Sequence, residues 1–258
     1  MKRNKEFLIY FSVFLCGALI ILTSFINAGI IGNLLIYSGI YALCLLLSKG
    51  YLRCENFNLP KLFTIDICTL SLVSFLYFLL FFINIALSLI FQSEAPNITF
   101  SVWLLIYTGL VVPITEEIFF RGCVCTGISA IYGKGSAVFI SSLLFALLHS
   151  GTSGFIFAFI GGLMFSFLYM QTDSILPGLI LHIANNFISV LALEFEVTVI
   201  LAPITALLIS FIFSVYCLLK KKAIIKKDLH INTDFLKSFN FYAAIIAIYI
   251  LKIIGEKI

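Results

Sequence analysis

Apolar stretches fill this chain almost end to end, near residues 7–28, 30–48, 64–92, 101–121, 136–150, 154–171, 175–193 and 197–219, with a ninth at about 239–255. Roughly twenty apolar residues per helical crossing are needed to span a bilayer, and lipid forces each buried backbone group to find its partner within a helix. The reading is therefore an all-α, polytopic transmembrane bundle of eight spans, or nine if the last run crosses. With 62% hydrophobic and 11% charged residues among 258, the chain lies far from the make-up of soluble domains, which are about 25% charged. It leaves no room for a separate soluble domain.

The net charge of +4 does not point to nucleic acid, because the basic residues gather in a few breaks and so report topology. With the N-terminus inside, cytoplasmic stretches receive Lys2, Arg3 and Lys5, then Lys49, Arg53 and Lys61, then Arg121 and Lys134, then Lys220, Lys221, Lys222, Lys226 and Lys227. The opposite loops at 93–99, 151–153 and 194–196 hold no Lys or Arg, and Glu94, Glu194 and Glu196 lie there. The ninth run, with Lys237 before it and Lys252 and Lys257 at its far end, fits as a span or an interfacial helix. The N-terminal run lacks a small-residue cleavage site and reads as a retained span. Seven cysteines without CxxC or framework spacing read as small core residues, with disulfides and a cysteine metal site not expected. Three parts follow: N-terminal helices at 1–100, a core at 101–219, and a basic segment with a last helix at 220–258.

Charges in mid-membrane cost about 2.5–3.5 kcal/mol each on insertion scales, so they persist only where something compensates. The run Pro113-Ile114-Thr115-Glu116-Glu117-Ile118-Phe119-Phe120-Arg121 holds three. Glu117 and Arg121, four apart, share a helical face and can pair; an architectural salt bridge would explain those two. Glu116 points about 100° away and needs another partner. Two of the three histidines, His149 and His182, lie in later apolar runs, each with a helical companion at i, i+4: Phe145 before His149, Asn186 after His182. Either histidine alone could be a satisfied core residue. Together with Glu116 and Asn186 they form a set suited to peptide hydrolysis. A buried carboxylate can take a proton from water and return it to the leaving amine, while imidazole and amide donors stabilise the oxyanion. The same Glu116, His149 and His182 could instead ligate a divalent metal such as zinc; a glutamate mechanism requires none. Glu116 is expected within hydrogen-bond or one-water distance of both imidazoles. Simple span boundaries put Glu116 and His149 at different depths, unless the fourth helix continues past Arg121 to about Tyr132.

Glu-Glu-x-x-x-Arg, Phe-x-x-x-His and His-x-x-x-Asn in successive apolar runs, with Gly161-Gly162 and Pro177 between, resemble the CAAX protease and bacteriocin-processing (CPBP, or Abi) family, from about Val111 to Leu193. That family includes Rce1-type prenyl-protein endopeptidases and proteins similar to lysostaphin resistance protein A. The resemblance implies an intramembrane endopeptidase with Glu116 as base, His149 and His182 positioning water or metal, Asn186 polarising the substrate carbonyl, and Glu117 and Arg121 in support, with Phe145 beside them. It implies a peptide or membrane-protein substrate among membrane lipids, in a bacterial plasma membrane, and a task in peptide processing or bacteriocin self-immunity. Prenylated substrates are not expected. A rhomboid reading would use Gly151-Thr152-Ser153-Gly154 with His182 as base, but gives Glu116, Glu117 and Arg121 no task; a turn explains the same four residues. His-Glu-x-x-His, needed by site-2 type metalloproteases, is missing. A non-catalytic immunity or scaffold protein is the rival outside enzymes, since a transporter should show repeats.

Overall fold

The structure is a computed structural model and describes residues 2–23, 29–52, 65–91, 100–195, 197–219 and 229–255. The described residues form nine helices and no strands: α1 (Lys2–Thr23), α2 (Gly29–Leu52), α3 (Ile67–Ile90), α4 (Val102–Tyr132), α5 (Lys134–Leu147), α6 (Thr152–Thr172), α7 (Leu176–Leu191), α8 (Val197–Leu219) and α9 (Phe239–Gly255). By length and composition, four are long and apolar enough to cross a membrane, those over Asn4–Leu22, Ile67–Ile90, Val102–Tyr132 and Thr152–Thr172. The chain is an integral membrane protein. The basic stretches at 53–64 and 220–228 and the loop at 93–99, which carry most of the orientation reading, lie outside the described residues.

The fourth run follows the longer of its two readings. It does not stop near Arg121 but continues to Tyr132 as a 31-residue helix, about 46 Å at 1.5 Å per residue. Glu116 thereby moves from a helix end to the middle, and Arg121, which is fully buried, is no loop charge reporting topology. Two π-helical stretches interrupt α4, Tyr107–Val111 and Ile118–Cys125, one on each side of the glutamates. Pro113 explains the first. The amide of Val112 bonds to the carbonyl of Tyr107, five residues back, so the carbonyl of Thr108 would next receive Pro113, which has no N–H to give. That orphan carbonyl is filled from another helix, as described below.

The side chains pack in two clusters. One joins α1, α2, α4, α5 and α9 through Val13, Tyr41, Phe120, Leu144, Phe145 and Ile248. The other joins α3, α6, α7 and α8 through Val73, Leu80, Phe165, Leu181 and Ala206. The ninth run is a helix of the bundle, packed parallel to α1: Ser238 donates to Glu6, and Tyr10 meets Phe241 with ring centroids 6.2 Å apart. Glu6 also accepts from Tyr132 at 2.7 Å, so one buried carboxylate ties α1 to the ends of α4 and α9.

A disulfide links Cys68 and Cys217, the start of α3 to the end of α8, against the expectation that all the cysteines are core thiols. Their separation of 149 residues offers no local spacing to read; helix pairing alone brings the two Cα atoms to 5.6 Å, within bridging range. Cys16, Cys44, Cys123 and Cys125 are free and buried. Replacing Cys68 and Cys217 by serine is expected to lower unfolding stability in detergent by about 2–4 kcal/mol, read as a lower midpoint than that of the oxidised wild type; an unchanged midpoint counts against the bridge.

Candidate active site

The ionisable residues of α4 meet α7 where the two packing clusters join. Glu117 and Arg121 are both completely buried, with Arg121 Nη1 3.1 Å from Glu117 Oε1. A buried pair is stable only if its remaining polarity is answered. Arg121 Nη2 donates to the carbonyl of Gly162 at 3.2 Å, and the guanidinium lies 4.8 Å from the ring centroid of Phe145 and 5.2 Å from that of Phe165, each in cation–π range. Gly162 permits this approach, since a Cβ there would come within 3.1 Å of Ser142 and 3.3 Å of Phe145. Phe145 thus does more than accompany His149: its face holds Arg121, and its ring lies 4.6 Å from that of His149.

His182 connects the glutamates. Its Nδ1 is 2.9 Å from Glu117 Oε1, and its Nε2 is 3.7 Å from Glu116 Oε2. An ionised carboxylate can only accept, so Nδ1 donates to Glu117 and Nε2 faces Glu116. Phe165 stacks on the imidazole at 4.8 Å and 17°, fixing its plane. Both nitrogens of His182 are turned to glutamates, which leaves Ser153, in the first turn of α6, without the base that a rhomboid mechanism needs. Gly151 at the preceding turn has φ +67°, a left-handed conformation that glycine adopts readily, and this accounts for the Gly-Thr-Ser-Gly sequence.

Glu116 finds its required partner on α2. Its Oε1 accepts from the Tyr37 hydroxyl at 2.5 Å and from that of Tyr41 at 3.4 Å. Neither tyrosine was singled out in the sequence. A signal was there, because two phenols four residues apart in an apolar run need polar partners when buried.

The remaining candidates stand at the margin. His149 is not in the helix that carries Phe145: α5 ends at Leu147, and His149 lies in the following turn, its amide bonded to the carbonyl of Ala146 at 3.0 Å. The ring still folds back on Phe145, with Nδ1 3.0 Å from that residue's carbonyl oxygen. It lies within electrostatic reach of Glu116 and His182 and lines a cavity of about 340 Å³ with Gly17, Ile20, Leu148, Ile248 and Lys252. Asn186 supplies the donor that Pro113 withholds: its Nδ2 bonds to the carbonyl of Thr108 at 2.9 Å. An amide nitrogen has two hydrogens, so one remains for another acceptor.

For a metal, Glu116 and His182 offer a facing pair of donors. Among the described residues no three His, Cys, Asp or Glu side chains are arranged to hold one, so the set as placed does not fit the Glu116, His149 and His182 ligand site considered from the sequence.

Residues 98–188 match the family model of the type II CAAX prenyl endopeptidase, Rce1-like. This is the family that the three motifs resemble, and all of Glu116, Glu117, Arg121, Phe145, His149, His182 and Asn186 fall inside the matched segment. The segment is that of a protease family, carried here by an integral membrane protein. It covers about a third of the chain; α1, α2, α3, α8 and α9 lie beyond it. No curated protein and no solved structure matches the chain.

Proposed function

We propose that this protein is an intramembrane endopeptidase that hydrolyses peptide bonds of membrane-associated or small secreted peptides with water activated by Glu116. The observation that carries the reading is the opposed pair, Glu116 Oε2 and His182 Nε2 at 3.7 Å, with Glu117 and Arg121 behind it. A water between the two loses a proton to Glu116 Oε2 as its oxygen attacks the scissile carbonyl carbon. The oxyanion receives a hydrogen bond from the second amide hydrogen of Asn186, while His149, whose Nδ1–H is given to the Phe145 carbonyl, presents the lone pair of Nε2. When the carbon–nitrogen bond breaks, the proton on Glu116 passes to the departing amine, leaving a carboxylic acid, an amine and the starting carboxylate. His182 holds the water, and the Glu117 carboxylate keeps its Nδ1 protonated, the orienting arrangement seen wherever a carboxylate backs a catalytic imidazole.

No step passes through a metal. The apolar cavity that His149 lines offers room for part of a substrate; the grouping of Lys and Arg supports an N-terminus inside, and the many Ile, Phe and Lys residues fit a bacterial plasma membrane. Bacteriocin self-immunity would follow from the same proteolysis. The deciding experiment is cleavage of a bacterial membrane-peptide pool by purified protein, wild type against Glu116→Gln, with and without a chelator. Loss of products in the variant alone supports glutamate catalysis; loss with chelator in the wild type replaces the metal-free scheme; equal activity of both proteins moves the reading to a non-catalytic immunity or scaffold role.

Asn186→Ala should act twice. Removing an oxyanion donor lowers kcat about 10²–10³-fold, and stranding the Thr108 carbonyl costs about 1–3 kcal/mol of stability. A fallen midpoint with unchanged kcat would assign Asn186 to the helix repair alone.

A further inference from the structure

The tyrosines on α2 hold Glu116 in a way that the three motifs do not account for. A base needs one oxygen free and the other fixed, because a carboxylate that can rotate presents its lone pairs at random. Oε1 of Glu116 is taken by Tyr37 and Tyr41, while Oε2 is the oxygen facing His182. The contact from Tyr37, at 2.5 Å, is at the short limit of charge-assisted O–H···O bonds. Each phenol has one hydrogen. Tyr37 gives its own to Glu116; Tyr41 lies 3.4 Å from Glu116 and 3.3 Å from the Tyr37 oxygen, so it either shares the carboxylate weakly or supports Tyr37. The rings are locked in turn, that of Tyr37 edge-on to Tyr107 at 5.8 Å and that of Tyr41 edge-on to Phe119 at 5.5 Å.

Resting on the reading of Glu116 as the base, we infer that Tyr37 is a positioning residue for catalysis: it anchors Oε1 so that Oε2 meets the water held by His182. α2 is thereby part of the catalytic apparatus, although it lies outside the matched segment. Burial and bonding make opposite forecasts, which makes the inference testable. Tyr41 is the more buried of the two, with 1% of its surface exposed, so a purely structural tyrosine pair would suffer more from the loss of the Tyr41 hydroxyl. A pair that positions Glu116 suffers more from the loss of the Tyr37 hydroxyl.

The experiment compares wild type, Tyr37→Phe, Tyr41→Phe and Glu116→Gln on one membrane-peptide substrate, recording kcat, KM and the thermal midpoint in detergent. Misplacing a reacting group costs roughly tenfold to a hundredfold in rate, so Tyr37→Phe is expected to lose that much in kcat with KM and midpoint unchanged, and Tyr41→Phe distinctly less. A Tyr37→Phe enzyme with wild-type kcat, a larger loss in Tyr41→Phe, or a loss in Tyr37→Phe that follows a fallen midpoint each overturns the positioning role while leaving Glu116 as base. Full activity of Glu116→Gln overturns both.

Discussion

Glu116→Gln is expected to lower turnover by about 10²–10⁴-fold, the range that a positioned general base contributes, without unfolding the protein. Glutamine has the shape of glutamate, and its amide oxygen can still accept from Tyr37 and Tyr41, so the α2 to α4 contact survives. What it cannot do is take a proton from water. The measurement is single-turnover cleavage by protein whose midpoint matches the wild type; residual turnover above a tenth of wild type would remove Glu116 from the role of base. Chelation is expected to leave the wild type active, since Glu116 and His182 lack a third ligand among the described residues.

Arg121→Met should be the most destabilising single change, at about 3–5 kcal/mol, because it strands a buried carboxylate that keeps only the imidazole of His182. Arg121 and Glu117 are each wholly buried, and water cannot replace the lost cation. Adding Glu117→Gln removes the stranded charge and should restore most of the midpoint, as replacing both members of a buried pair often does. It should not restore activity, because an amide in place of the carboxylate no longer requires the proton of His182 to sit on Nδ1. Recovery of stability and activity together would show that Glu117 has no part in orienting the histidine. A midpoint unchanged in Arg121→Met would show that the pair contributes nothing to the fold.

The residues that bear charge in the wrong solvent were visible from the first reading. Apolar run length and the cost of a charge in lipid led to a helical membrane bundle and to Glu116, Glu117, Arg121, His149, His182 and Asn186, because the bilayer penalises such residues one at a time and regardless of neighbours. The i, i+4 pairing of Glu117 with Arg121 was legible for the same reason: it lies within one helix. The end of α4 was legible only as one of two alternatives, Arg121 or about Tyr132, since a run interrupted by Arg121 and Gly122 looks like a boundary until Phe145, Phe165 and the Gly162 carbonyl, from two other helices, are seen to absorb the arginine.

What needed the tertiary structure is every relation between helices. That His182 turns to Glu117 as well as Glu116, that Asn186 repairs the carbonyl freed by Pro113, that Cys68 reaches Cys217 across 149 residues, and that Glu116 is anchored by Tyr37 and Tyr41 all depend on which faces meet. Local sequence determines how much a buried polar group must be compensated. Only the packing of distant helices decides which group compensates it, because burial is a property of a single residue's surroundings, whereas a hydrogen bond requires two particular atoms to arrive together.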